Sequence, residues 1–214
     1  MSEARLREDL CFWAASMFQR GLTGGASGNL SARTEDGGLL VTPTGASLGR
    51  LDPARLARFD ADGRHVDGDP PTKEMPLHAA FYETRAGAGA VVHLHSTHSV
   101  ALSMLPGTDP DDALPPLTAY AVMRVGRVAL LPFFVPGDPA TGEAVRGLAG
   151  RRSAVLLANH GPVVAARDLE AAVFAMEELE ETARLALLLR GTGARPLDPA
   201  QVGAVVRRFD LEWD

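Results

Sequence analysis

The sequence predicts an α/β fold of three layers, with helices on both faces of a mostly antiparallel or mixed central sheet. Three observations lead there. Short β-branched runs alternate with amphipathic helical segments, but without the regular strand–helix–strand rhythm of an all-parallel sheet. A chain of 214 residues with 46% hydrophobic content is long enough to bury one substantial core. No internal repeat or low-complexity linker interrupts it, so residues 1–214 are expected to form one domain.

The elements follow in order. Leu6, Leu10, Trp13, Ala14 and Met17 recur at helical spacing and stop at Gly21, which predicts an amphipathic first helix. NLSAR and GLLVTP, joined by EDGG, read as strand, turn and strand. In LDPARLARF, Asp52 can cap free amides and Pro53 tolerates a first turn, so a short helix is expected there, followed by a hairpin in DADGRHVDGD. PPTKEMPLHAAFYETR predicts a helix with Leu77, Ala80, Phe81 and Thr84 on one face, placing Thr72, Lys73 and Glu74 at its start and Pro76 in its first turn. AVVHLH suits a buried strand, HSVALSML a helix, and RVALLPFF another strand. SAVLLANHGPVVAA reads as two strands broken at NHGP. Asp168 opens a long helix closed by Gly191, and DPAQ opens a last helix running to about Arg208.

Composition excludes several classes. The net charge of −6, with no dense Lys/Arg block, argues against a nucleic-acid surface, so any phosphate must be held by local donors. Cys11 stands alone and cannot form an internal disulfide. The start carries Glu3, Arg5, Arg7, Glu8 and Asp9 where a signal peptide would be apolar. No window approaches the roughly 18 apolar residues of a membrane span. A cytoplasmic protein with no membrane or nucleic-acid partner is the expectation.

The segment VVHLHSTHSV holds three of the chain's six histidines. On a strand, residues i and i+2 share a face, which would set His93 and His95 side by side about 6 to 7 Å apart along the chain, a spacing that suits two ligands of one metal. His160 ends another apolar run. Three imidazoles with an open position describe a catalytic zinc site, although iron, cobalt, nickel and copper also accept imidazole. A lone His-x-His is more ordinarily a pair of strand histidines with hydrogen-bond partners. His98 reads as a helix-start residue or one supporting the ligands, His65 as surface, and His78 as facing either the site or solvent. Glu74 would ordinarily interact with a helix dipole; beside a metal it would be a fourth ligand and a general base once substrate displaces it.

The ordered pieces GGASGNLSAR, LLVTPTGASLG, PPTKEMPLHAAFY, GAVVHLHSTHSVA and VLLANHGPVVA resemble the class II aldolase/adducin family nearly end to end. The resemblance implies that Glu74, His93, His95 and His160 bind a divalent metal, normally Zn2+, with Glu74 doubling as the proton-transfer residue. It also implies a substrate phosphate held by Gly28 with Asn29, Thr44 with Gly45, and Thr72 with Lys73. Glycine turns and a helix start offer backbone amides suited to that task, although GGASGN alone reads as a helix-to-strand turn. Lys73 departs from the small hydroxyl residue that family aldolases often carry, and adds a cation for phosphate or carboxylate.

Family members share a metal-stabilised enediolate, through which aldol cleavage, epimerisation and loss of carbon dioxide from a β-keto acid all pass. HLHSTHSVA, the PTKE segment, LGRLDPARLARFDADGRHVDGD, DPDDALPPLTAYAVMRVGRVALLPFFVPGDP and LEETARLALLLRG look most like the family's decarboxylases of 3-oxo-tetronate 4-phosphate. That resemblance implies conversion of a phosphorylated sugar acid to dihydroxyacetone phosphate and CO2 through a metal-bound enediolate. A sugar-phosphate aldolase or 4-epimerase of the fuculose-phosphate or ribulose-phosphate type is the alternative. A non-catalytic adducin-like interaction domain is a further one, weakened because all four ligand positions are filled. Tyr120, in the proline-rich LPPLTAY loop, is the candidate proton donor, from the same or a neighbouring subunit; its ordinary reading is a packing or interface tyrosine. By analogy a homotetramer with sites at subunit boundaries is expected.

Overall fold

A computed structural model of the chain describes residues 2–213. It is built on one eight-stranded sheet, β1 (Asn29–Arg33), β2 (Leu39–Val41), β3 (Ala57–Phe59), β4 (His65–Asp67), β5 (Ala90–His93), β6 (Val128–Leu131), β7 (Ala154–Leu157) and β8 (Gly161–Ala166), in the order β4-β3-β2-β1-β5-β8-β7-β6. Every neighbouring pair is antiparallel except β6 with β7, so the sheet is mixed, as the strand pattern predicts.

Seven helices cover it among the described residues: α1 (Glu3–Gln19), α2 (Met75–Thr84), α3 (Thr97–Ser103), α4 (Ala119–Arg124), α5 (Pro139–Gly147), α6 (Leu169–Leu188) and α7 (Pro199–Phe209). Strand alternation divides the apolar residues between two cores. Leu30 and Ala32 of β1, Val92 of β5 and Val164 of β8 face a core filled by Leu10, Ala14 and Met17 of α1 and Val173, Met176 and Leu179 of α6. Val91, Val155 and Val163 face the opposite core, with Leu77 and Phe81 of α2 and Val145 of α5. The three layers follow from this division. No helix among the described residues is long and apolar enough to cross a membrane.

Several segments differ from their sequence-based expectation. LDPARLARF yields only a 3-10 turn at Pro53–Arg55, where Asp52 caps the Ala54 amide at 3.0 Å as expected. The remainder becomes β3, because Ala57 and Phe59 pair with Val41 and Leu39, and a three-residue strand carries no periodicity of its own. The LPPLTAY loop ends in helix α4, capped by Thr118 onto the Ala121 amide at 2.9 Å. Helix α5 was not expected, though Asp138–Pro139 repeats the Asp-Pro start of α7. The break at NHGP lies earlier: residues 158–160 turn, Asn159 adopts φ 57°, and Gly161 and Pro162 already belong to β8. The strand in AVVHLH stops at His93, leaving His95 in the connection to α3.

That connection is fastened from the far side. Ser96 precedes α3 but makes no capping bond. Instead the Glu180 carboxylate of α6 accepts from the backbone amides of His98 and Ser99, both at 2.9 Å, from the Ser99 hydroxyl at 2.6 Å, and meets His98 Nδ1 at 2.8 Å. These donors hold its carboxyl below the usual range although burial pushes it up. Removing the carboxylate orphans the start of α3 three residues past His95. Glu180→Ala is therefore expected to cost about 2 kcal/mol or more in urea unfolding, and a loss under about 0.5 kcal/mol would contradict this role.

Candidate metal centre

Strand register builds the site. Asn29 lies opposite His93 and Ser31 opposite Val91 across the β1–β5 pair, and all four point to the face covered by α2. Gly28, at φ 82°, lets β1 enter this close: a Cβ there would sit 3.0 Å from the His93 carbonyl oxygen and 3.1 Å from the Leu94 side chain. The β7–β8 turn delivers His160, and Gly161 must remain glycine because a Cβ would strike the Leu94 carbonyl. Glu74 is the residue immediately before α2, and Pro76 lies in that helix's first turn as predicted.

Glu74, His93, His95 and His160 converge, each offering a donor atom within 4.8 Å of the others. His93 Nε2 lies 3.3 Å from His160 Nε2 and 3.4 Å from Glu74 Oε2, while His160 Nε2 lies 3.3 Å from Glu74 Oε1. The three ring centroids form a near-equilateral triangle with sides of 5.0, 4.8 and 4.7 Å. Metal–ligand bonds of 2.0–2.1 Å at tetrahedral angles require donor–donor edges of about 3.3 Å, which the contacts among Glu74, His93 and His160 match, and His95 completes the group within 4.8 Å. His93 Nδ1 donates to the Pro162 carbonyl at 2.9 Å, which leaves the Nε2 lone pair facing the cluster.

The electrostatics agree with that use. Burial pushes the His93 pKa down to about 3, and burial likewise lowers His95 and His160, with Lys73 lowering both further. All three rings are thus neutral ligands near pH 7. Burial pushes the Glu74 carboxyl up, and the Asn29 amide, donating to Oε2 at 2.7 Å, pulls it back toward the ionised form.

The segments expected to hold phosphate also meet. Thr42 bonds Leu30 in both directions, its amide donating at 2.9 Å and its hydroxyl accepting at 3.1 Å, and the Thr72 amide donates to the Thr42 carbonyl at 3.1 Å. Gly28, Asn29, Thr44, Gly45, Thr72 and Lys73 therefore lie on three chain segments running side by side. Lys73 is exposed and packs its stem against Gly137, in the loop after β6. Asn29 has a second role that the phosphate expectation did not include, since its side chain is engaged by Glu74 and His78.

Tyr120 is elsewhere. It is 55% exposed on α4, with Arg124 over its ring, beside a recess formed with Phe174, Glu177, Glu178 and Glu181. None of the four metal donors lines that recess. His78, expected to face either the site or solvent, is fully buried next to the site, and His98 serves the start of α3. Sequence reasoning missed Ser31, Tyr82 and Glu180. The spacing of Glu74, His78 and Tyr82, four residues apart on one helical face, was the available signal for Tyr82; Glu180 had none among its neighbouring glutamates.

The model of the Class II Aldolase and Adducin N-terminal domain matches residues 8–187. The 3-oxo-tetronate 4-phosphate decarboxylase of Cupriavidus necator is 50% identical over 191 residues, covering 89% of this chain and 88% of that one. The L-fuculose phosphate aldolase of Escherichia coli K12 is 30% identical over 213 residues, covering 98% and 96%. The crystal structure of YgbL from Klebsiella pneumoniae superposes with a TM-score of 0.93 at 46% identity, covering 96% of this chain and 99% of that one.

Neutral imidazoles have no protons to give up. Three unshifted histidines would release about 1.5 protons on metal uptake at pH 6.5. Calorimetric titration of metal-free protein at that pH, in two buffers of different ionisation enthalpy, is expected to show fewer protons released than that; a value of about 1.5 or more would contradict the lowered pKa values.

Proposed function

The chain belongs to the class II aldolase and adducin family, and from that membership we propose that it is a divalent-metal-dependent carboxy-lyase converting 3-oxo-tetronate 4-phosphate to dihydroxyacetone phosphate and CO2. The observation that carries this reading is the similarity of 44 to 50% to several decarboxylases of that name, across most of both chains, against 30% to the aldolase.

Loss of CO2 breaks the C1–C2 bond and leaves the electron pair at C2, conjugated with the C3 carbonyl; a proton must then reach C2. An ion held by Glu74, His93, His95 and His160 supplies, when bound, a Lewis acid for the keto oxygen. Zinc suits this set, since three imidazoles and one carboxylate are ligands it accepts. The chain's own residues do the rest. Gly28, Asn29, Thr44, Gly45 and Thr72 present donors to the phosphate, and Lys73 places an exposed cation at the mouth of the donor cluster for phosphate or carboxylate. Glu74, ionised and buried, carries a proton to or from the reacting carbon once substrate enters.

Tyr120, from a neighbouring subunit, is the source of that one proton, which Glu74 passes to C2. Its exposure on α4, away from the cluster of its own chain, supports an assembly, and a homotetramer with sites at subunit boundaries accommodates it. A multiply charged phosphorylated substrate fits a cytoplasmic setting.

Purified protein supplied with a divalent ion and the β-keto acid phosphate is expected to yield equimolar dihydroxyacetone phosphate and CO2. Glu74→Gln should reduce kcat by about 10²–10⁴-fold. No product at micromolar enzyme, or an aldehyde formed from fuculose 1-phosphate at a higher kcat/KM, would replace this reading with the aldolase one.

A further inference from the structure

Behind Glu74 runs a file of buried polar side chains, of which the proposed reaction uses only Asn29. Asn29 Nδ2 donates to Glu74 Oε2 at 2.7 Å, and Asn29 Oδ1 meets His78 Nε2 at 2.5 Å. His78 Nδ1 meets the Ser31 hydroxyl at 2.7 Å, which meets the Tyr82 hydroxyl at 2.9 Å. His78 has no exposed surface, and the chemistry of each atom fixes the direction of every bond. An ionised carboxylate only accepts, so the Asn29 amide nitrogen must face Glu74 and its oxygen must face His78. That oxygen needs a donor, which places the imidazole proton on Nε2. The ring is neutral, burial having pushed its pKa down to about 4, so Nδ1 accepts from Ser31, whose oxygen then accepts from Tyr82. Reversing Asn29 would set its oxygen against the carboxylate and leave the last hydroxyl without an acceptor. An amide does not relay protons as water or imidazole does, so this file transmits orientation.

We propose that His78 is a positioning residue for the metal centre: its Nε2–H, braced by Ser31 and Tyr82, locks the Asn29 amide so that the Glu74 carboxylate is aimed at the three imidazoles before any ion arrives. The sequence carries the device in two periodicities. Asn29 and Ser31 share a strand face, and Glu74, His78 and Tyr82 recur every four residues along the start and face of α2. The inference rests on Glu74 acting as a metal ligand but needs no particular substrate.

Two measurements test it. Long-range proton–nitrogen NMR of the metal-free wild-type chain is expected to show His78 neutral with its proton on Nε2; a proton on Nδ1 overturns the proposal. Metal affinity is then measured by chelator competition for His78→Gln and His78→Asn. A glutamine amide reaches the Nε2 position and can donate to Asn29, whereas an asparagine amide ends near Nδ1 and cannot. His78→Asn is expected to bind the ion 10–100-fold more weakly, the usual effect of losing a partner behind the ligands, and His78→Gln to stay within about 3-fold of wild type. Equal losses in both variants mean that the ring matters for packing alone, and no loss in either means that it does not position the site; both outcomes overturn the proposal. A wild-type chain that takes up no ion overturns the metal-site reading itself, and the proposal with it, whereas a negative decarboxylation assay touches neither measurement.

Discussion

Glu74 is a carboxylate with 6% of its surface left to solvent, placed among three imidazoles that burial keeps neutral. An ionised group so placed gives up hydration worth several kcal/mol, and something must replace it. The Asn29 amide replaces part. The remaining electrostatic demand is one that a cation satisfies, and the donor spacings of 3.3–3.4 Å suit a single divalent ion. The electrostatics of the site thus favour charge compensation at one point, and the surrounding fold keeps that point fixed.

Antiparallel pairing is the means. Because β1 and β5 run antiparallel in the register Asn29↔His93, the amide that steadies Glu74 and the first imidazole arise on the same sheet face. Because β5 pairs with β8 in the register His93↔Val163, the turn before β8 brings His160 alongside. A slip of one residue in either pairing would move these side chains to the opposite face, among the apolar contacts of α1 and α6. The same alternation that divides apolar residues between two cores therefore also assembles the site. Glu180, reaching from α6 to the start of α3, fixes the loop that carries His95 from the opposite layer.

What could be read in the sequence depended on whether its signal was local. Helices α1 and α6 show their apolar stripes, and the Asp-Pro starts of the 3-10 turn and α7 mark where free amides need a cap. The metal ligands were legible through ordered motifs, because His93 and His95 are close in sequence and His160 ends an apolar run. Strand β3 was not legible: its three residues adopt extended structure because β2 offers a ladder, which is a long-range fact. Helix α5 hides because its first residues, PATG, are small and show no stripe before Val145. His95 lies off its strand because β5 pairs no further than His93, although the imidazoles still meet. The buried file from Tyr82 to Glu74 needed both the helix period and the strand period read together with a contact between them, and only the folded chain supplies that contact.

The account's central claim is that four side chains distant in sequence hold one divalent ion. An anomalous-scattering map from crystals of the metal-loaded chain, collected above and below the absorption edge of the bound element, tests it most directly. One peak per chain at bonding distance from Glu74, His93, His95 and His160 is the predicted result. A peak elsewhere, or no peak from protein shown by elemental analysis to carry metal, would contradict it.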